Sequence, residues 1–129
     1  MASEIYQISL NGLATERARM DAATSNIANA NSVSSTPGAV YQVKTVISQQ
    51  GFANVLNQQA FEIIEQNKVK QLYQPDHPLA DIQGMVYQPD VNMVSEMLQL
   101  NMATRAYEAN VRAFNASKEM NAKAMEIGK

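Results

Sequence analysis

Every proline in this 129-residue chain falls between positions 37 and 89: Pro37, Pro75, Pro78 and Pro89. Three of the five glycines (Gly38, Gly51, Gly84) lie in the same stretch, leaving only Gly12 and Gly128 to the two ends. Proline and glycine are the strongest breakers of regular helix, so their segregation divides the chain. The spacing predicts a helix over 1–31, an irregular or β-rich middle with an extended connector over 32–89, and a second helix over 90–129. The fold class expected is mainly α, two long terminal helices with a small β/irregular middle segment.

The N-terminal segment offers Ser3 as a cap and Glu4 in the first turn, where the helix dipole favours an anion. Tyr6, Leu13, Met20 and Ile27 recur every seven residues, with Leu10, Ala23 and Ala30 beside them, a stripe on one helical face. A helix over 3–30 is roughly 40 Å long. The C-terminal segment is more regular. Met93, Met97, Leu100, Thr104, Tyr107, Val111, Phe114, Lys118, Asn121 and Met125 follow 4,3 spacing, a heptad seam. A second seam of smaller residues (Ala103, Ala106, Asn110, Ala113, Ser117, Met120, Ala124, Ile127) would let another helix approach closely. Asp90 or Asn92 can cap its start and Gly128 its end, for a length of about 55 Å. Helices this long need partners, and two seams on one helix imply more than one neighbour. The alternative is an antiparallel hairpin within the chain, capped by the middle.

The middle carries weaker signals. Tyr41, Val43, Thr45 and Ile47 alternate with Gln42, Lys44 and Val46, which predicts a strand with one buried face. Val69–Tyr73 is a second candidate strand. Residues 61–65 read equally as strand or helix, and Gln66-Asn67-Lys68 could turn a hairpin. Residues 31–39 (NSVSSTPGA) form a loop. The stretch 73–89, with three prolines and Gly84, predicts an extended connector laid along another element.

Composition narrows the function. Ten Lys and Arg against twelve Asp and Glu give a formal charge of −2, without the basic excess that nucleic acid demands. There is no cysteine, hence no disulfide framework, thiolate nucleophile or Cys-ligated zinc. The one histidine, His77, sits between Pro75-Asp76 and Pro78 with Asp81 nearby. A proline-bound loop is a poor frame for three or four metal ligands, and a loop-fixing hydrogen bond explains His77 better. Glu62 and Glu65 read as a solvated face rather than a catalytic carboxylate pair. With no phosphate loop, nucleophile elbow or zinc-protease motif either, no catalytic, metal or cofactor site is expected, and the chain is not expected to be an enzyme. Charged residues are only 17%, while Gln and Asn number 24. Such a surface resists association less than a charged one. No stretch approaches the roughly 18 apolar residues of a membrane span, and the start, Met1-Ala2-Ser3-Glu4-Ile5-Tyr6, does not read as a cleavable signal peptide.

Ser25-Asn26-Ile27-Ala28-Asn29-Ala30-Asn31 closes the first helix. Asn and Ser compete for backbone hydrogen bonds and so can simply end a helix, or their amides can bond across a helix interface. This SNIANAN segment resembles the signature of the bacterial flagellar rod and hook axial protein family. Residues 73–81 (YQPDHPLAD), Gly84, Val86, residues 89–92 (PDVN) and residues 104–111 (TRAYEANV) are similar to its C-type proximal rod proteins, in order and over nearly the whole chain. The resemblance implies a subunit of the rod that links the motor to hook and filament. It also implies export through the flagellar type III apparatus on an uncleaved N-terminus, followed by assembly in the periplasm. The terminal helices would form a coiled-coil inner layer around the export channel. Partners implied are copies of itself, other rod proteins, and the membrane-ring and rod-adaptor proteins of the basal body.

The assembly interface expected comprises Tyr6, Leu13, Met20, Asn26, Ile27 and Asn29 from the first helix. From the second it takes Met93, Met97, Leu100, Tyr107, Asn110, Val111 and Phe114. Pro75, His77, Pro78, Gly84, Pro89 and Asn92 shape the connector. Rival readings are another axial subunit and a cytoplasmic coiled-coil adaptor or export chaperone. Leu100→Asp or Val111→Asp is expected to abolish assembly and motility while leaving expression intact; motile cells carrying either change would contradict this seam.

Overall fold

In the computed structural model the described residues are 2–48 and 61–128, with side chains described from Tyr6 onward. Helix α1 (Ala2–Ala28) is followed by a 3-10 turn (Pro37–Ala39) and by strands β1 (Val43–Ser48), β2 (Phe61–Gln66), β3 (Val69–Tyr73) and β4 (Met85–Pro89). Helix α2 (Met93–Ile127) closes the chain. The fold is mainly α with a small β middle. Helix α1 begins at Ala2, so Ser3 is a helical residue and not the cap expected; its side chain and that of Glu4 lie outside the described residues, as does Gly51. Asn92 does cap α2, its Oδ1 accepting the Ser95 N–H at 3.2 Å. Gly128 ends that helix in a right-handed conformation, its N–H bonded to Ala124 O, so no left-handed cap forms.

The helices pair with each other inside one chain, antiparallel. Tyr6 stacks edge-on against Phe114 with ring centroids 5.3 Å apart. A β-carbon at Gly12 would meet the Asn110 amide at 3.1 Å, and Asn26 bonds Glu96 at the far end. The weaker alternative of a hairpin capped by the middle is therefore the arrangement found, and neither helix waits for a second chain to bury a face. The innermost positions are small or polar: Thr15, Ala22, Ala23 and Asn26 on α1, and Ala103 on α2. Thr15 satisfies its hydroxyl on Asn11 O at 2.8 Å, and Thr104 does the same on Leu100 O at 2.7 Å. Small side chains at the contact let the helix axes approach closely.

The middle differs from its expectation in three ways. First, β1 pairs with β2 and β3 with β4, both antiparallel, as two separate two-stranded ribbons. Gln66-Asn67-Lys68 thus links the ribbons instead of turning a hairpin, because β2 has already closed its ladder with β1. Second, 73–89 is no extended connector. It turns back as β4, whose Val86 and Pro89 are fully buried; Pro89 takes the last ladder position, where its missing N–H costs least. Third, the buried face of β1 fails beyond Val43: Thr45 and Ile47 are exposed, since a two-stranded ribbon has no second layer of its own.

Gly84 makes the β3–β4 turn possible, with φ +79°. A β-carbon there would come within 3.0 Å of Tyr73 Cε2 and 3.1 Å of Pro75 Cβ. Gly84→Ala is therefore expected to destabilise the fold by about 1–3 kcal/mol, read as a lowered midpoint in urea, with the slope unchanged.

Candidate assembly interface and its Asn26 junction

Asn26 sits in the last turn of α1 and is 1% exposed. Its Oδ1 accepts the Lys44 N–H at 2.9 Å and the Tyr41 hydroxyl at 2.8 Å. Its Nδ2 donates to Lys44 O at 2.8 Å and to Glu96 Oε2 at 3.3 Å. Four bonds saturate the amide, as a buried polar group requires. In an antiparallel strand the N–H and C=O of one residue point to the same side. Both groups of Lys44 therefore point to Asn26, away from β2. The Asn26 amide occupies the free edge of β1 as a one-residue substitute for a third strand. It also ties that edge to the first turn of α2 through Glu96, where an acid suits the helix dipole.

The flanking residues extend the junction. Ser25 Oγ lies 2.7 Å from the Tyr41 hydroxyl, and Asn29 Nδ2 donates to Ser25 O at 2.8 Å. Ser34 exchanges both backbone bonds with Tyr87 (2.8 and 3.0 Å), fastening the segment after α1 to β4. Asp81 organises the β3–β4 turn. Its carboxylate accepts the N–H groups of Met85 (2.8 Å) and Gln83 (2.9 Å) and the Tyr87 hydroxyl (3.1 Å). The Met85 N–H, most of all, holds the Asp81 carboxyl below its ordinary value, against partial desolvation and aided by Tyr87 and Gln83. The same bond to Asp81 pushes the Tyr87 hydroxyl up.

The expected interface residues divide by helix face. Tyr6, Leu13, Met20 and Ile27 on α1, and Asn29 just past its end, are half-buried; the stripe found innermost is offset from Leu13 and Met20 toward Thr15, Ala22 and Asn26. On α2, Met93, Leu100, Tyr107, Asn110, Val111 and Phe114 are half-buried, and Asn121 Nδ2 donates to the Tyr6 hydroxyl at 3.4 Å. Leu100 and Val111 thus lie toward α1, whereas Met97 is exposed. In the connector, Pro75 and Pro78 are exposed, Gly84 and Pro89 buried, and His77 Nδ1 accepts the Leu79 N–H at 3.0 Å. Sequence reasoning missed Tyr41, Lys44, Glu96 and Asp81. Only Asp81 carried a local signal, an Asp three residues before a turn glycine; the others are fixed by contacts across the fold. What remains outward is an apolar row on α2, with Val94, Leu98 and Met102 all exposed; towards the end of the helix Met120, Met125 and Ile127 are exposed as well. Among the described residues no group of three His, Asp or Glu could hold a metal, and no helix is long and apolar enough to cross a membrane.

The two helical ends match known families separately. Residues 7–39 match the flagella basal body rod protein model, and 82–127 match the C-terminal model of flagellar basal body rod FlgEFG proteins. Over 128 residues the chain is 37% identical to the flagellar basal-body rod protein FlgC of Salmonella typhimurium, covering 96% of both chains. The chain belongs to the FlgC family of flagellar basal-body rod proteins. FlgC of Bacillus subtilis is 34% identical with 95% of both chains covered, and that of Aquifex aeolicus 34% identical with 95% and 93% covered. The SNIANAN segment, which lies within the match to the flagella basal body rod protein model, is thus the segment that builds the Asn26 junction.

Asn26→Ala would leave the Lys44 N–H and C=O without partners, and the Tyr41 hydroxyl with Ser25 alone, an expected loss of about 2–4 kcal/mol in urea unfolding. Asp81 supplies a pH dependence with a definite sign. Its folded pKa is depressed, so its contribution is present above the ordinary value of 3.8 and is lost as pH falls through the lower folded value. Thermal scans between pH 2 and 5 are expected to show a steeper fall for the native chain than for Asp81→Asn.

Proposed function

We propose that this chain is a structural subunit of the proximal rod of the flagellar basal body. Copies assemble helically with other rod proteins into the driveshaft that carries motor torque and encloses the export channel. The terminal helices, 1–31 and 90–129, act as one assembly domain and form a coiled-coil inner layer; residues 32–89 face outward. The subunit passes the flagellar type III apparatus on an uncleaved N-terminus and assembles in the periplasm. There it also meets membrane-ring and rod-adaptor proteins.

The observation that carries this reading is the outward apolar row on α2. Leu98 is 59% exposed and Val94 77%, in a chain that has already buried its inner helical face. Exposed aliphatics in a row on one helix mark a surface meant for other proteins. Torque is then carried as shear over many side-chain contacts. Not being an enzyme agrees with its relatives, which are named as rod proteins. A cytoplasmic adaptor or export chaperone would function without incorporation into basal bodies.

Leu98→Asp is the discriminating change, because Leu98 faces away from α1 and its loss leaves the hairpin intact. Expression and helix content are expected to be unchanged, while basal bodies lack the subunit and cells do not swim. Normal swimming would overturn the reading.

A further inference from the structure

Asn11 and Gly12 are neighbours within α1, and each is unfavourable there on its own account. Asn11 lies one turn before the buried Thr15, and its backbone oxygen accepts the Thr15 hydroxyl at 2.8 Å. Its Nδ2 is buried and, among the described residues, is the one such side-chain atom without a hydrogen-bond partner. Asn26, on the same stripe, has all its amide bonds made. Gly12 weakens a helix interior. A β-carbon at position 12 would nevertheless meet Asn110 Nδ2 of α2 at 3.1 Å. Close approach of the two helices therefore favours glycine, and it places that glycine directly after an asparagine.

We propose that Asn11-Gly12 is a deamidation site that closing of the helical hairpin switches off, whatever the chain assembles with. Glycine leaves the backbone nitrogen after the asparagine unshielded and free to turn. In the open chain the Gly12 nitrogen loses its proton to solvent and attacks Asn11 Cγ. The bond from Cγ to Nδ2 breaks, ammonia leaves with a proton from solvent, and a five-membered succinimide closes. Water then adds to either ring carbonyl, giving aspartate or isoaspartate at position 11. The folded helix denies this chemistry twice. Its ladder directs the Gly12 N–H at the carbonyl four residues back, that of Ile8, and the helical ψ of Asn11 holds the Gly12 nitrogen out of the plane in which the ring has to close. Leaving that conformation also means drawing Gly12 away from Asn110. Neither product fits the closed hairpin. Aspartate sets a carboxylate where Nδ2 is buried, and isoaspartate routes the backbone through Cβ and breaks the helical ladder.

The sequence makes the site simple to follow. Trypsin releases residues 1–17, in which Asn11 is the single asparagine, so a gain of one mass unit with a fragment series that changes at position 11 reports the conversion. The full chain is incubated in slightly alkaline buffer with and without urea, its helix content is followed by circular dichroism, and the peptide is quantified over time. Conversion is expected to be at least about tenfold slower in buffer than in urea, because ring closure waits on local opening of α1. Equal rates overturn the gating, and no conversion in urea overturns the site. Gly12→Ala in urea checks the chemistry without requiring a fold: it is expected to slow conversion at least about tenfold, since a β-carbon shields the attacking nitrogen and restricts its backbone. An unchanged rate overturns the proposed ring closure. Phe114→Ala removes the ring that stacks on Tyr6 and leaves Asn11 and Gly12 untouched. It is expected to speed conversion in buffer and leave the rate in urea as it was; no acceleration in buffer overturns the part given to the hairpin.

Discussion

A single buried amide holds three elements of this fold in place. Asn26 gives all its hydrogen-bonding capacity to Lys44, Tyr41 and Glu96, and so joins the end of α1, the free edge of β1 and the start of α2. A strand edge left open would be a template for unwanted pairing, and a buried amide left unpaired would be costly. Each answers the other. The direction of α2 follows: once its first turn is tied to the end of α1, the helix has to run back along α1, with Phe114 reaching Tyr6 near the far end.

That arrangement decides which surfaces are left for other chains. The inner face of the hairpin is lined by alanine, threonine and Asn26, which bring the helices close but bury little apolar area each. Much of the large aliphatic content is therefore half-buried at the flanks or turned outward, as at Leu98 and Met102. A monomer built this way is modestly stable and adhesive. Both properties suit the proposed passage of the subunit through an export channel unfolded and its later fixing among neighbours.

The sequence made the helical ends legible because proline and glycine punctuate them and because seven-residue spacing survives any tertiary context. Asn92 as a cap was legible for the same local reason. The pairing of the helices was harder to read: heptad seams state that a helix has a partner, and not whether the partner is in the same chain. The offset from Leu13 and Met20 to Ala22 and Asn26 was hidden because a hydrophobic pattern ranks a buried alanine or asparagine low. In the middle, alternation in 41–47 overstated burial, since it cannot reveal that the ribbon has only two strands. The connector was misread because three prolines suggest extension, while the Asp81 turn and the positive φ of Gly84 fold it back.

The most direct test of the Asn26 junction is amide hydrogen exchange at Lys44 in the isolated chain. Lys44 faces away from β2, so its N–H has Asn26 Oδ1 as its acceptor at 2.9 Å. The account predicts slow exchange at Lys44, comparable to the ladder amides of β1 that bond β2. Exchange at Lys44 as fast as in an unstructured peptide, with those ladder amides still protected, would contradict it.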